Sequence, residues 1–355
     1  MQHSDSGKFP FPAYWKDRDY LVLDQIELPQ IVDYIKCSSC EDVAETIRNM
    51  NLRGAPLIGA AASAAVALAF KDGFLDKDSF LRVVQLLLET RPTAVNLKNV
   101  LDETVELYKR LPTEERSNVF NVFRDFSQEV HRRDIKRNKK MGKLGADHIA
   151  DLLSGRKINV LTHCNAGALA TCGYGTALGV IRALNDQGLI EHVWVDETRP
   201  YLQGARLTAF EMCRENIPHK VITDSTAAWL MNRGLVDVVI TGADRVSANG
   251  DMANKIGTYS LAVNARYHKI PFIGVMPLET FDLSIKTGDQ IVIEERSDSE
   301  LLNYNGKRIA PDGSSGLHIG FDVVPVELVS AIVTEKGVLS EVIDKRSVDG
   351  LFNEK

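Results

Sequence analysis

A cysteine follows a short apolar run near the middle of this 355-residue chain. Ile158 to Thr162 is rich in β-branched and aliphatic residues, and small residues come soon after it, beginning with Cys164. This change of pattern predicts a strand, a tight loop and then a helix. The carboxyl end of a parallel strand delivers side chains to a crevice, and the N-terminus of the next helix attracts anions. Cys164 is therefore a candidate for chemistry, and the alternative is a buried cysteine that only fills space.

Two other segments place polar groups beside a strand end or a helix start. Val236 to Gly242 predicts a strand, and Asp244 follows its carboxyl end, where an aspartate either serves chemistry or caps a turn or helix. Arg53 and Gly54 precede a proline and an alanine-rich helical run. Because Gly54 allows close approach of the backbone and Pro56 fits a first helical turn, an anion could bind beside Arg53. The alternative is an ordinary loop before a buried helix.

The elements that would position these groups alternate between strand and helix beyond residue 155. Such alternation indicates parallel βαβ units, so the sequence predicts the α/β class. Predicted strands are Ile158 to Thr162, His192 to Asp196, Lys220 to Thr223, Val236 to Gly242 and Phe272 to Met276, and predicted helices are Ala168 to Leu184, Gln203 to Asn216, Ser225 to Asn232 and Ala253 to Tyr267. At this length we expect two domains. These are a mainly helical N-terminal domain with a small sheet over residues 1–145 and a Rossmann-like catalytic domain over residues 146–355.

Four motifs together resemble a known family. They are the run THCNAGALATCGYGTALG from Thr162, Arg53-Gly54-Ala55-Pro56, the D-E-T-R-P-x-x-Q-G segment from Asp196, and G-A-D-R-x-x-x-N-G-D-x-x-N-K-I-G-T from Gly242. This set is similar to the methylthioribose-1-phosphate isomerases, which are related to regulatory subunits of translation initiation factor 2B and to ribose-1,5-bisphosphate isomerases. The resemblance covers nearly the whole chain. One departure is His318-Ile319-Gly320, where the family commonly has Asn-Pro-Ala.

The resemblance implies an enzyme that converts 5-methylthioribose 1-phosphate to the ketose 5-methylthioribulose 1-phosphate in methionine salvage. In that interpretation Asp244 is the proton donor, which requires a carboxyl pKa raised by burial. Cys164 is either the acid-base partner of an enediolate route or a stabiliser of charge in a hydride-shift route. The alternatives are an isomerase of 5-deoxyribose 1-phosphate or ribose 1,5-bisphosphate, and a non-catalytic regulatory subunit. The positions that match substrate-binding residues are Arg53, Gly54, Ala55, Arg91, Gln203, Asn254 and Lys255.

Composition narrows the class of partner. A formal net charge of -6 argues against nucleic acid, so we expect a small-molecule sugar phosphate. The N-terminal residues lack a signal-peptide pattern and the apolar run from Ala55 to Phe70 is too short to cross a bilayer, which predicts a cytoplasmic protein.

We expect no cofactor and no metal, since the histidines show no ligand spacing, and the family suggests a homodimer. Gly173 to Gly179 misses the dinucleotide fingerprint by one residue and lies too far beyond the strand. A dyad of His163 with Cys164 is disfavoured because neighbours on an extended strand end point apart.

Overall fold

The computed structural model describes residues 10–91, 95–293, 295–304, 306–340 and 343–353. The chain forms two compact units. The first unit comprises Met1–Lys140 with Ala166–Gly179, and the second unit comprises Met141–Asn165 with Val180–Lys355. The domain boundary expected between residues 145 and 146 stays a prediction. Residues 1–9, which belong to the N-terminal stretch without a signal-peptide pattern, lie outside the described residues.

The first unit combines a small antiparallel sheet with helices, as predicted. Its strands, in sheet order, are β1 (Ala13–Lys16), β2 (Asp19–Leu23) and β3 (Tyr34–Cys37). Its helices are α1 (Cys40–Arg48), α2 (Ala55–Ala69), α3 (Lys77–Leu88), α4 (Val95–Arg110) and α5 (Val119–Leu152), the last of which continues beyond Lys140. Ser39 starts α1 with a capping box, because its hydroxyl accepts from the Asp42 N–H while the Asp42 carboxylate accepts from the Ser39 N–H.

Helix α2 forms the centre of the first unit. Residues Leu57 to Leu68 are all buried, since alanines and other small apolar side chains occupy every face of the helix. Gly59 permits close contact with α4, where a Cβ would lie 3.0 Å from the Asn96 carbonyl oxygen. In the described part of the chain, α2 and the other helices are each too short or too polar to cross a membrane. The packing of α2 fixes the loop before it, which contains Arg53 and Gly54.

The second unit is an α/β layer structure. Its strands are β4 (Ile158–Thr162), β5 (Ile190–Asp196), β6 (His219–Ile222), β7 (Val238–Thr241), β8 (Arg245–Ser247), β9 (Met252–Lys255), β10 (Phe272–Val275), β11 (Phe281–Asp282), β12 (Glu295–Arg296), β13 (Asn303–Tyr304), β14 (Lys307–Arg308), β15 (His318–Ile319), β16 (Phe321–Val324), β17 (Ala331–Val333) and β18 (Val338–Leu339). Its helices are α6 (Ala177–Asp186), which begins in the first unit, α7 (Ala209–Arg214), α8 (Thr226–Asn232), α9 (Thr258–Tyr267), α10 (Ser299–Leu302) and α11 (Lys345–Asn353).

The main sheet has the order β18-β17-β10-β7-β4-β5-β6 among the described strands. Pairing is parallel from β17 through to β6, and only β18 runs antiparallel. The five strands predicted from the sequence are all present, and the α/β class with a helical first part and a Rossmann-like sheet is confirmed. Because β5, β4 and β7 are parallel neighbours, the residues that follow them meet at one edge of the sheet.

Two helix predictions are wrong at their starts. The predicted helix from Ala168 begins as α helix only at Ala177, because Gly173 and Gly175 have positive φ and Gly175 lies against Gly167. The predicted helix from Ala253 begins at Thr258, because Met252–Lys255 is instead a strand paired with β16. The partner of Met252–Lys255 is distant in sequence, which local periodicity does not reveal.

Candidate active site

Cys164 lies in a strained elbow two residues beyond β4. Its φ is 57°, a left-handed conformation that is uncommon for a residue with a Cβ. Its N–H donates to Thr198 Oγ1 at 2.8 Å and its carbonyl accepts from Thr208 Oγ1 at 2.6 Å. The residue is 9% exposed. The elbow thus holds a nearly buried thiol at the carboxyl edge of the sheet.

His163 ties this elbow to another part of the second unit. Its Nδ1 lies 2.8 Å from Asp196 Oδ2 at the end of β5, and its Nε2 donates to the Ile256 carbonyl at 2.9 Å. Burial lowers the pKa of His163, but the hydrogen bond and charge of Asp196 outweigh it and the net direction is upward. Burial raises the pKa of Asp196 to about 6. Both ring nitrogens are occupied, so His163 is not the partner of a Cys164 dyad.

The same histidine belongs to a potential metal-ligand cluster. Ligand atoms of His163, Asp196 and Asp224 lie within 4.8 Å of one another among the described residues. Sequence spacing missed this group because its members follow three different strands. Asp224 accepts from the N–H groups of Thr198 and Arg199 at 2.7 and 2.8 Å. Hydrogen bonds within the protein already use both His163 nitrogens, so an ion could bind this histidine only by displacing one of these bonds.

Asp244 lies at a bend between β7 and β8, on the same sheet edge as Cys164. Its N–H donates to the carbonyl of Ala253 at 2.9 Å, so its backbone adjoins strand β9 next to Asn254. The Asn254 amide donates to Thr258 Oγ1 at 3.0 Å, and Thr258 in turn donates to the Lys255 carbonyl at 2.6 Å. The structure thus brings Asp244, Asn254 and Lys255 together on one short antiparallel ribbon.

Lys255 is buried in aromatic surroundings. Its ammonium nitrogen lies 4.6 Å from the ring centre of Phe321 and 5.8 Å from that of Tyr201, and the residue is only 7% exposed. Cation–π attraction supports the charge there. Tyr201 is held by Arg296, which donates to the phenol oxygen at 2.7 Å and also pairs with Glu300. The arrangement fixes a cation beside two apolar rings.

The His318-Ile319-Gly320 departure adjoins these aromatic residues. His318 is buried with Nδ1 3.0 Å from Glu300, and its ring lies 6.2 Å from that of Tyr201. The first residue of the departure, His318, therefore contacts Glu300 and lies near the ring of Tyr201.

Gln203 carries an orphan acceptor. The residue is 4% exposed, and within the described chain its Oε1 has no hydrogen-bond partner. A buried amide oxygen without a partner is costly, so a donor from a bound molecule would satisfy it. Gln203 begins the irregular turn that leads to Thr208. It therefore follows β5, as do Thr198 and Thr208, which bond the backbone of Cys164.

The first unit carries the other predicted binding residues. Gly54 has a φ of 96°, and a Cβ there would lie 2.2 Å from the carbonyl oxygen of Ala170. Ala55 begins α2, so Arg53 and Gly54 stand at the N-terminus of a 15-residue helix, the geometry expected for an anion site. Arg91 is half-buried and lies between α3 and α4, and residues 92–94 beyond it are outside the described residues.

Comparison with known proteins agrees with these motifs. A model of the Initiation factor 2 subunit family matches residues 51–341. A protein of Caldicellulosiruptor saccharolyticus named methylthioribose-1-phosphate isomerase is 47% identical over 322 residues, which are 90% of this chain and 93% of that protein. The chain belongs to the methylthioribose-1-phosphate isomerase family. The resemblance drawn from the sequence motifs is thereby confirmed.

Solved structures agree with this membership. The crystal structure of 5-methylthioribose 1-phosphate isomerase from Pyrococcus horikoshii has a TM-score of 0.88 and 41% identity, covering 97% of this chain and 96% of that chain. A structure named as the translation initiation factor eIF-2B subunit delta from A. fulgidus has a TM-score of 0.82 and 36% identity, covering 96% of this chain and 99% of that chain. Both names therefore occur among relatives of similar fold.

Within this methylthioribose-1-phosphate isomerase family member, the nine predicted site residues divide between the units. Cys164, Asp244, Gln203, Asn254 and Lys255 belong to the second unit, and Arg53, Gly54, Ala55 and Arg91 belong to the first. Sequence reasoning missed the two threonines that bond the Cys164 backbone. These hydrogen bonds join residues 34 and 44 positions apart, so the sequence around Cys164 does not reveal them. The D-E-T-R-P motif was the available clue, because Thr198 lies inside it.

Proposed function

We propose that this chain is an aldose–ketose isomerase that converts 5-methylthioribose 1-phosphate to 5-methylthioribulose 1-phosphate in methionine salvage. The observation that carries the proposal is the placement of a thiol and a carboxyl group beyond adjacent parallel strands. Cys164 follows β4, and Asp244 follows β7, which pairs directly with β4. The protein's 47% identity to a relative named for this activity supports the same reaction.

The chemistry explains why these two groups are needed. An aldose phosphorylated on its anomeric oxygen does not open spontaneously, so the enzyme must protonate the ring oxygen and then move hydrogen from C2 to C1. Asp244 is the proton donor at the ring oxygen. Cys164 either relays the proton between C2 and C1 through an enediolate or stabilises charge while hydride migrates. The net reaction adds and removes no atoms, since the product is an isomer of the substrate.

The remaining site residues bind and orient the sugar phosphate. Lys255 supplies a buried positive charge, and the orphan Gln203 oxygen accepts from a sugar hydroxyl. Asn254 lies beside Lys255 on β9 and adds an amide. Arg53, Gly54, Ala55 and Arg91 are the proposed phosphate-binding residues, because the N-terminus of α2 favours an anion. The phosphate does not react, so its binding energy serves orientation.

The group on C5 is apolar in this proposal. A second phosphate, as in ribose 1,5-bisphosphate, needs its own cations. The arginines of the motif loops already have partners. Arg199 donates to the carbonyls of Pro200 and Leu301, Arg206 donates to that of Tyr201, and Arg245 lies 3.9 Å from Asp282.

The test is turnover by the purified protein. The protein is incubated with 5-methylthioribose 1-phosphate and ketose is measured, with Cys164→Ala protein purified in parallel to report contaminating activity. We expect ketose with the wild type only. A wild type without turnover on any pentose 1-phosphate would favour a non-catalytic regulatory role. The relative named as an initiation-factor subunit suggests this alternative.

Substrate preference tests the C5 assignment separately. Steady-state rates are compared for 5-methylthioribose 1-phosphate, 5-deoxyribose 1-phosphate and ribose 1,5-bisphosphate. Loss of the thiomethyl contact should cost about 1–3 kcal/mol in kcat/KM. The bisphosphate should be the poorest substrate, and the reverse order would overturn the apolar pocket.

The setting of the enzyme completes the proposal. It works as a cytoplasmic homodimer whose partner is a small sugar phosphate. Sedimentation of the purified protein at several concentrations measures the oligomeric state, and a monomer at all concentrations would contradict it.

A further inference from the structure

Two buried threonine hydroxyls hold the peptide groups on either side of Cys164. Thr198 Oγ1 accepts from the Cys164 N–H at 2.8 Å, and Thr208 Oγ1 donates to the Cys164 carbonyl at 2.6 Å. Both threonines have 0% exposure, so bulk water cannot replace either hydroxyl. Because Cys164 has a φ of 57°, its backbone needs such bonds to keep a sparsely populated conformation.

The Thr198 hydroxyl is oriented by its own neighbours. It donates to the Asp196 carbonyl at 3.1 Å, which leaves a lone pair to accept from Cys164. The Thr198 N–H donates to Asp224 Oδ1 at 2.7 Å. The end of β5 therefore presents an acceptor in a fixed place.

Thr208 reaches Cys164 from an irregular helical turn. Gly204–Thr208 is π-helical, an arrangement that inserts one residue into a turn and is frequent at functional sites. The Thr208 oxygen also accepts from the Asn165 amide at 3.2 Å. That amide donates to Glu211 at 2.9 Å, and Glu211 is paired with Arg182 at 2.7 Å. The residue after Cys164 is thus anchored to the same helix.

We infer that Thr198 and Thr208 are positioning residues that set the direction of the Cys164 thiol for isomerisation. The inference rests on the proposed function. The direction of the Cα–Cβ bond of Cys164 follows from the two peptide groups that the threonines hold. A misplacement of about 1 Å in a reacting group can cost about 10²-fold in rate, so loss of one hydroxyl acts on turnover.

A purely structural role predicts a different result, and Thr162 provides the matched control. Its hydroxyl donates to the Ile240 carbonyl at 2.8 Å, and the residue is 1% exposed. Thr162→Val therefore removes the same kind of buried bond from the same sheet without touching the peptide groups of Cys164. The loss of stability should be similar to that in Thr208→Val.

The experiment compares Thr208→Val, Thr198→Val, Thr208→Ser and Thr162→Val after circular dichroism has shown that each is folded. Steady-state kinetics give kcat and KM, and iodoacetamide labelling of Cys164 is followed peptide by peptide, because the exposed Cys213 also reacts with the reagent. We expect kcat to fall by about 10- to 100-fold in both Thr→Val variants of the pair, with KM changed by less than about threefold. The labelling rate of Cys164 should change in the same two variants in which kcat falls. Thr208→Ser should restore both, and Thr162→Val should leave both near wild type.

Equal kcat in Thr208→Val, Thr198→Val and Thr162→Val would overturn the positioning role. If one Thr→Val variant fails to fold, the other carries the comparison. Wild-type protein without turnover would instead contradict the proposed function, and the labelling rates would still show whether the threonines control the thiol.

Discussion

Gly204 provides a sharp test of how the active-site segment packs. The residue follows Gln203, and a Cβ placed on it would lie 1.6 Å from the carbonyl oxygen of Asp196 and 2.8 Å from its carbonyl carbon. Both atoms belong to the main chain at the end of β5, so no side-chain rotation can relieve the overlap. The Gly204→Ala substitution must therefore move the backbone by more than 1 Å.

The expected loss of stability follows from this overlap. Overpacking in a dense interior costs about 1–3 kcal/mol, and a contact with backbone lies at or above the upper end. Replacing a helical glycine by alanine returns about 0.5–1 kcal/mol. We expect a net loss of about 2–4 kcal/mol. Because the Asp196 carbonyl accepts the Thr198 hydroxyl at 3.1 Å, kcat should also fall.

Urea denaturation followed by circular dichroism measures the change, with Gly350→Ala as the matched control. Gly350 lies in α11, and no described residue outside its own stretch of helix would lie within 4 Å of its Cβ, so that substitution should stabilise by about 0.5–1 kcal/mol. Opposite signs at the two glycines are the expected result. A Gly204→Ala protein as stable and active as Gly350→Ala would refute the close packing on Asp196.

Other substitutions test the chemistry and the titration of single groups. Asp244→Asn should lower turnover by about 10² or more while KM changes little, and near-normal turnover would remove Asp244 from the mechanism. Cys164→Ala should abolish turnover. Cys172 lies in the core of the first unit, so Cys172→Ala should lower the stability by a few kcal/mol at most and keep activity. Burial lowers the pKa of His131 to about 4, and the unfolded value is near 6.5. The unfolded chain therefore binds more protons between these values, so stability should fall by up to about 3 kcal/mol as pH drops from about 6.5 to about 4, and His131→Gln should show less of this loss in urea titrations at both pH values.

The sequence by itself determined the elements with strong local patterns. The strand predicted from Ile158 to Thr162 has the same bounds in the structure, because an apolar β-branched run buried in a parallel sheet needs no distant information. The capping box that starts α1 is also local, because Ser39 and Asp42 are three residues apart. The motifs were specific enough to identify the family, and they pointed to Cys164 and Asp244, each of which follows a predicted strand.

Only the tertiary structure decided the conformation of segments whose backbone groups bond or pack against residues far away in the sequence. Met252–Lys255 carries a helix-compatible pattern but is a strand, since β16 supplies its hydrogen bonds from about 70 residues further on. Residues 166–179 belong to the first unit, where Asp134 accepts the Cys172 N–H at 2.7 Å and Ala170 packs on Gly54.

The environment of Cys164 shows the same division most clearly. Sequence placed the thiol beyond a strand, but the hydroxyls of Thr198 and Thr208 reach its peptide groups only after the chain has folded. Periodicity reports which face of an element is buried, because burial depends on local spacing. It carries no information on which distant hydroxyl meets a given peptide group, since that depends on strand order and on the register of the turn that follows β5.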